Sequence, residues 1–262
     1  MISPTTHIAR TITLLALILT LLGSIDSTVG SEPLKWQVQK LAVDANEGID
    51  IADFNRDGKL DIIAGRNWYA APDYSSRPVR HIADWNGYVE SNGDFAYDVD
   101  KDGFIDVIAG SFKPTEVYWY RNPGAEGLKL GRLWEQRLLV DTGDTTNEGQ
   151  LFQDLDGDGK PEWIVNSWRN DTPMHVWRLG TETRQASINN SKTDLTAKTV
   201  PTLHKSVIGD KGNGHGMGIG DLNGDGNLDI LVGQGWYECP AKDRFKTRWT
   251  FHPDWKLHAS DP

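Results

Sequence analysis

A single cysteine, Cys239, stands among 262 residues, so no internal disulfide can staple this chain. Long apolar runs are scarce as well. The most apolar stretch, Thr11 to Leu22, spans twelve residues and follows Arg10. A membrane-crossing helix needs about 20 apolar residues. With the small residues Thr28 and Gly30 behind it, the stretch reads as part of a signal peptide over 1–30, with an uncleaved membrane anchor as the alternative. Runs of basic residues are absent too. The formal net charge is −10, from 37 acidic and 27 basic residues, the wrong sign for a phosphate backbone, which argues against a nucleic-acid partner. No HExxH, GxSxG or Walker-type sequence occurs.

What the chain has in abundance is one acidic loop, present four times. The copies run over 53–61, 98–106, 154–162 and 221–229. Oxygen side chains fall at loop positions 1, 3, 5 and 9: Asp53, Asn55, Asp57 and Asp61; Asp98, Asp100, Asp102 and Asp106; Asp154, Asp156, Asp158 and Glu162; Asp221, Asn223, Asp225 and Asp229. Position 6 is always glycine. Alternate residues of a tight turn converge on one ion, and glycine permits the bend, so this is the ligand spacing of a calcium loop. The carbonyls of Lys59, Phe104, Lys160 and Asn227 at position 7 would complete each shell. About four Ca²⁺ are expected. The four loops hold fourteen acidic residues, a self-repelling density that divalent cations would offset.

The surroundings of the loops exclude an EF-hand. That motif needs a bidentate Glu at position 12 and flanking helices, whereas position 12 here is Ala64, Ala109, Val165 and Val232. Each loop is followed by a short β-branched run closed by Gly or Asn, such as Val107-Ile-Ala-Gly110, which reads as a strand and makes each loop the bend of a β-hairpin. A glycine precedes every first Asp by five residues, and upstream runs ending in Asp (Leu41–Asp44, His81–Asp84, Leu138–Asp141, Ser206–Asp210) read as further strands. First-Asp spacings of 45, 56 and 67 residues are the period of propeller blades. The growth in spacing is assigned to surface loop insertions, notably the polar stretch Thr181–Thr199. Residues 31–262 are therefore expected to form one all-β propeller-type domain with almost no helix. Trp36–Gln39 and Trp255–His258 would supply part of a further blade, and the chain would stop at Ser260-Asp261-Pro262 in the outer strand of an unfinished one. An open array or part of a larger ring is preferred to four-bladed closure.

From about Glu47 to Trp236 the chain resembles the FG-GAP/VCBS repeat family, which includes the integrin α-subunit propeller and many secreted bacterial proteins. The resemblance rests on the Asp-x-[Asp/Asn]-x-Asp-Gly-x-x-[Asp/Glu] hairpin and the apolar strand behind it. It implies calcium-binding blades and an exported location, secreted, periplasmic or at the cell surface. It says little about activity.

Two residue sets go beyond the scaffold. Of eleven tryptophans, Trp68, Trp119, Trp163, Trp168, Trp177 and Trp236 lie in or beside strands and are assigned to packing between blades, while Trp85, next to Asn86-Gly87, is the best exposed candidate for a sugar face. Six residues before each first Asp stand Glu47, Asn92, Glu148 and His215. Equivalent positions of a propeller lie at equivalent depth, so these side chains, joined by Asp94 and Gln150, are expected to converge at one mouth of the channel. Glu47, Glu148 and His215 are candidates for a transition-metal site or an acid/base pair, and a polar ring that hydrates the channel is the bland alternative. His81, His175, His204, His252 and His258 are assigned to packing or to the surface. The His-Gly-x-Gly-x-Gly-Asp context of His215 is similar to the aldos-2-ulose dehydratase type of propeller, which implies a metal-dependent sugar lyase or isomerase. The first expectation is a binding scaffold for a glycan or protein partner, and the sugar lyase is the second.

Overall fold

The computed structural model describes residues 34–169, 171–187, 195–210 and 215–255. The chain divides into two units, Met1–Lys40 and Leu41–Pro262. The described part of the first, 34–40, has no regular structure. The expected signal segment 1–30 lies outside the described residues, as does the chain end from 256 onward. Among the described residues no helix is long and apolar enough to cross a membrane.

The second unit is built from four consecutive antiparallel sheets of four strands each. The first contains β1 (Asp50–Ala52), β2 (Asp61–Ala64), β3 (Asn67–Ala70) and β4 (Ser75–Pro78). A two-stranded hairpin, β5 (Asp84–Trp85) and β6 (Tyr88–Val89), precedes the second sheet of β7 (Gly93–Tyr97), β8 (Asp106–Gly110), β9 (Glu116–Arg121) and β10 (Glu135–Asp141). The third has β11 (Asn147–Gln153), β12 (Glu162–Ser167), β13 (Met174–Ser187) and β14 (Leu195–Gly209). The fourth has β15 (Gly218–Gly220), β16 (Asp229–Val232), β17 (Gly235–Glu238) and β18 (Thr250–His252). In every sheet the strands pair in chain order. The one helix among the described residues, α1 (Gly124–Lys129), links β9 to β10.

Period-two alternation explains how the sheets stack. Strand β8 is buried along its whole length, yet its residues go to two different cores. Val107 and Ala109 pack with Ile63 and Trp68 of the first sheet, while Ile108 packs with Trp163 and Trp177 of the third. Strand β12 repeats the device: Trp163 and Val165 face the second sheet, and Ile164 joins Ile230 and Val232 of the fourth. A strand sandwiched between two neighbours needs apolar residues on both faces, which is why the runs behind the acidic loops are continuous rather than alternating. Trp68, Trp119, Trp163, Trp177 and Trp236 are buried, as their strand positions predict.

Several sequence expectations are corrected. Leu41–Asp44 and Trp36–Gln39 are not strands, and of His81–Asp84 only Asp84 enters one. Both runs have suitable residues, but among the described residues no strand pairs with them, and an unpaired strand leaves its backbone groups without partners. The extra strand pair comes instead from β5 and β6. Trp255 is outside any strand, and the rest of Trp255–His258 is outside the described residues. Thr181–Thr199 is not a loop insertion in its described parts, because β13 and β14 continue as a paired ribbon, with Thr183 opposite Thr199 and Ser187 opposite Leu195. Two paired ribbon arms satisfy each other's backbone, and Arg184 ties them to β10 by donating to the Leu138 and Leu139 carbonyls at 2.9 Å.

Candidate functional site

Each acidic loop joins the first and second strands of its sheet, and the register is the same four times. Ala52 pairs with Asp61, Tyr97 with Asp106, Gln153 with Glu162 and Gly220 with Asp229. Position 9 therefore opens the second strand opposite the residue before position 1. Its carboxylate is buried in all four copies. Oδ2 of Asp61, Asp106 and Asp229 accepts the backbone N–H of Phe54, Val99 and Leu222, and Oε2 of Glu162 accepts that of Leu155. The second oxygen of each aspartate takes an N–H from beyond the next strand pair, at Ala71, Asn122 and Cys239. Each oxygen still has a lone pair to offer a cation.

The rest of the loop is held by its own side chains. Position 1 accepts the N–H of the position-6 glycine, at 2.8 Å for Gly58 and Asp53, 2.9 Å for Gly103 and Asp98, 2.8 Å for Gly159 and Asp154, and 2.9 Å for Gly226 and Asp221. The carboxylates of Asp57, Asp102, Asp158 and Asp225 accept the N–H of position 7, at Lys59, Phe104, Lys160 and Asn227. Position 6 has φ of 81 to 88°, the left-handed region that glycine enters freely, and position 4 is also left-handed, at Arg56, Lys101, Gly157 and Gly224. Sequence reading missed position 4, and the glycines of the third and fourth copies were the clue.

The donor set fits a hard divalent cation. In the second loop one carboxylate oxygen each from Asp98, Asp100 and Asp106 lies within 4.8 Å of the others, and Asp154, Asp156 and Glu162 form the matching group in the third. Burial pushes the Asp106 and Glu162 carboxyls up to about 7, against the pull of their backbone hydrogen bonds, and the neighbouring loop carboxylates push the same way. Most telling is Asp100, whose Oδ1 is buried with no hydrogen-bond partner. In the other three loops the position-3 oxygen accepts the position-5 N–H, at 2.9 Å for Asn55, 3.1 Å for Asp156 and 3.0 Å for Asn223. Asp100 is held instead through Oδ2 by Arg121 at 2.5 Å, whose other nitrogen reaches Asp102 at 2.6 Å.

The opposite ends of the same strand pairs meet at a pocket of about 600 Å³. Glu47, Asn92, Glu148 and His215, one from each repeat, all line it. Asn92 Nδ2 donates to Glu47 Oε2 at 2.8 Å, and His215 Nδ1 lies 3.1 Å from Glu148 Oε1. Burial raises the Glu148 carboxyl, with His215 pulling it down and the Glu47 charge pushing it up.

Asp94 and Gln150 do not join them. Asp94 is fully buried, paired with Arg80, and accepts the Gly65 N–H at 2.6 Å; it ties the first sheet to the second instead of facing the pocket. Gln150 Oε1 accepts from the Trp163 indole at 3.2 Å, with Gly93 and Gly110 so close that no Cβ would fit beside it.

The pocket also has an aromatic ledge that sequence reading largely missed. Trp85 stacks on Phe112 at 5.8 Å and 27°, Phe112 meets the edge of Trp168 at 6.2 Å, and Trp168 meets His215 at 4.1 Å. Trp168, assigned to packing, is 38% exposed, because it stands just past the end of β12 rather than within it; Trp85, expected exposed, is 41% exposed. Phe112 and Trp168 both lie fourteen residues after their first Asp, where the other repeats have Asn67 and Gly235. That departure from the repeat was the available signal. The β5–β6 hairpin brings Trp85 and Tyr88 to the wall through an Asn86-Gly87 turn with φ of 51° and 83°, the conformation that two-residue hairpins favour. Backbone hydrogen bonds fix the rim, from Thr146 N to Phe112 O at 2.7 Å and from Trp168 N to Thr146 O at 2.8 Å.

Comparison with known proteins agrees with the hairpin geometry. Residues 98–165 and 154–232 match the family described as FG-GAP-like repeat. No curated protein matches the chain. Among solved structures it is similar to the biofilm matrix protein Bap1 of V. cholerae, at 16% identity and a TM-score of 0.38 over 78% of this chain. The match spans 31% of the Bap1 chain, so this sequence corresponds to about a third of that protein's length. With its matched segments covering half of its residues, the chain belongs to the FG-GAP-like repeat family.

Proposed function

We propose that this protein is an exported binding scaffold whose sheets are propeller blades, pinned at one end by Ca²⁺ and presenting a ligand pocket at the other. One observation carries the reading: the residues six before each acidic loop, drawn from all four repeats, line a single pocket with an aromatic ledge. Each loop would hold one Ca²⁺ through the side chains of positions 1, 3, 5 and 9 and the position-7 carbonyl. The ion would neutralise the buried position-9 carboxylate and lock the hairpin bend. Apolar and aromatic walls with a few fixed polar groups are the composition of small-molecule and sugar sites, and pocket volumes of 300–1,000 Å³ are usual for them. The partner is a glycan or a protein segment that fits the pocket.

Two measurements test this reading. Chelation should lower the melting temperature, with calcium restoring it; an unchanged melting curve would remove calcium from the proposal. A glycan panel probed with the full chain should give ligands whose binding is lost in Trp168→Ala, and ligands retained by that variant would place recognition elsewhere.

The contact between His215 and Glu148 favours a second reading, a metal-dependent sugar lyase or isomerase centred on His215, Glu47 and Glu148. Metal analysis separates the two. Calcium alone, unchanged by His215→Ala, supports the scaffold, whereas zinc, iron or manganese lost with His215 supports the enzyme.

A further inference from the structure

The charges at the pocket are unbalanced. Glu47, Glu90 and Glu148 line it against one lysine, Lys113, and His215. The lysine is already engaged: its Nζ lies over the rings of Trp85 at 4.8 Å and Phe112 at 5.6 Å. The ledge therefore accepts an ammonium on its π face. Burial is the main cause that raises the Glu148 carboxyl; His215, 3.1 Å away, pulls it down, and the Glu47 charge pushes it up. A neutral sugar would leave that repulsion in place, and an acidic sugar would add to it. A cationic group set between the two carboxylates would relieve it. Beside them, Trp85 and Trp168, 41% and 38% exposed, offer apolar surface of the kind that stacks on a pyranose ring, and the side-chain carbonyl of Asn92 is a neutral acceptor.

We propose that this pocket is a saccharide subsite selective for a sugar that carries a free amine, with the ring on the Trp85 and Trp168 ledge and the ammonium at Glu47 and Glu148. The proposal rests on the pocket reading above and gives its ligand a chemical class. A deacetylated hexosamine unit within an oligosaccharide has both features, and its N-acetylated counterpart keeps the ring while losing the charge. Selectivity follows from charge pairing in a partly desolvated site, where a missing partner costs more than in water.

The test is calorimetric titration of the calcium-saturated full chain with a β-1,4-linked glucosamine oligomer and with the same oligomer fully N-acetylated, at a pH where the amine is protonated. The free-amine oligomer is expected to bind about tenfold or more tightly, a difference of about 1.4 kcal/mol. Glu47→Gln and Glu148→Gln should each remove most of that preference, bringing the ratio of the two affinities toward one. Trp168→Ala should weaken both. A melting temperature close to that of the parent protein, measured for each variant, separates lost binding from lost folding. Equal binding of the two oligomers, insensitive to both Gln variants, would overturn the amine assignment and keep the pocket as a sugar site. Failure of both oligomers to bind would overturn the proposal, and the glycan panel with Trp168→Ala would then decide the pocket reading separately.

Discussion

The two ends of the strand pairs are made by opposite means. At the loop end, one nine-residue solution is written four times, with the same register, the same buried position-9 carboxylate and the same position-6 glycine conformation. At the pocket end, the same strands deliver a different side chain from each repeat: Glu47, Asn92, Glu148 and His215 at one equivalent position, and Asn67, Phe112, Trp168 and Gly235 at another. A part that serves each sheet separately can be copied. A site that serves the whole molecule must break the copy, because four identical side chains around one cavity would repel or merely fill it. On the reading proposed above, the contrast predicts distinct signatures: loop substitutions should act on stability and pocket substitutions on binding.

The largest effect should come from removing calcium at the loop end. At a hundredfold excess over Kd, one bound Ca²⁺ would contribute about 2.7 kcal/mol, so emptying the four proposed sites would outweigh any single substitution. Asp102→Ala and Asp158→Ala should each lower the melting temperature with calcium present and have much less effect after chelation. Equal losses under both conditions would mean that these carboxylates act only through the loop's own hydrogen bonds.

Next comes the buried pair of Arg80 and Asp94, whose side chains are 3% and 0% exposed. Arg80 also donates to the Gly65 carbonyl at 3.0 Å and to the Ser91 hydroxyl at 3.1 Å, and its guanidinium lies over the Tyr120 ring. Arg80→Met would leave a buried carboxylate uncompensated, at a cost of about 3–5 kcal/mol. Unlike the loop variants, it should lose the same stability with and without calcium. A calcium-dependent loss in denaturant titrations would break the separation of the two ends.

These two predictions also mark how far the sequence could be read. The loops were legible because four copies show which positions are chemical and which are incidental. The convergence of Glu47, Asn92, Glu148 and His215 was legible through the same repeat arithmetic. The aromatic ledge was not, because Phe112 and Trp168 sit at the first residues beyond a strand, where residue type alone does not separate packing from exposure. Asp94 was misplaced for a related reason. It lies within β7, paired with Ala109, and its cation, Arg80, comes from outside the repeated segment. The β13–β14 ribbon was hidden because its arms pair through their backbones, which polar residues such as Thr183 and Thr199 can do without an apolar pattern.

A third prediction concerns pH, through His175. Burial is the main cause that lowers its imidazole to about 4 from 6.5, with Lys205 and Arg248 acting in the same direction and Asp144, at 3.4 Å, opposing them. The folded state therefore keeps His175 neutral where the unfolded chain takes up a proton. Its contribution is fully present above about 6.5 and is lost as pH falls from there toward 4, by roughly 3 kcal/mol at most. Comparing the melting temperatures of the parent and His175→Gln across that window isolates this share from the carboxylates, which titrate in both. Parallel curves would reject the assignment.

At the pocket end, Trp168→Ala should cost about 1 kcal/mol or less, since the ring is partly exposed and its contacts are with Phe112 and His215 at the surface. Its ligand affinity should nevertheless drop tenfold or more. A stability loss as large as that of Arg80→Met would return Trp168 to the packing role that its sequence position suggests.

The smallest effect returns to the loops and runs in the stabilising direction. Position 4 is left-handed in all four, but only the third and fourth copies place glycine there, at Gly157 and Gly224; the first two hold Arg56 and Lys101 at φ of 63° and 60°. A side chain in that region costs roughly 1–2 kcal/mol, and glycine gives part of this back as extra freedom in the unfolded chain. Lys101→Gly should therefore stabilise by about 0.5 kcal/mol. Arg56→Gly should gain less, because the Arg56 guanidinium lies 5.2 Å from the Phe104 ring centroid in the neighbouring loop and that contact would be lost. Precise denaturant titrations of both variants, with calcium saturating, are sensitive enough to rank them. A larger gain for Arg56→Gly would mean that the contact between loops contributes nothing, leaving each hairpin to act alone.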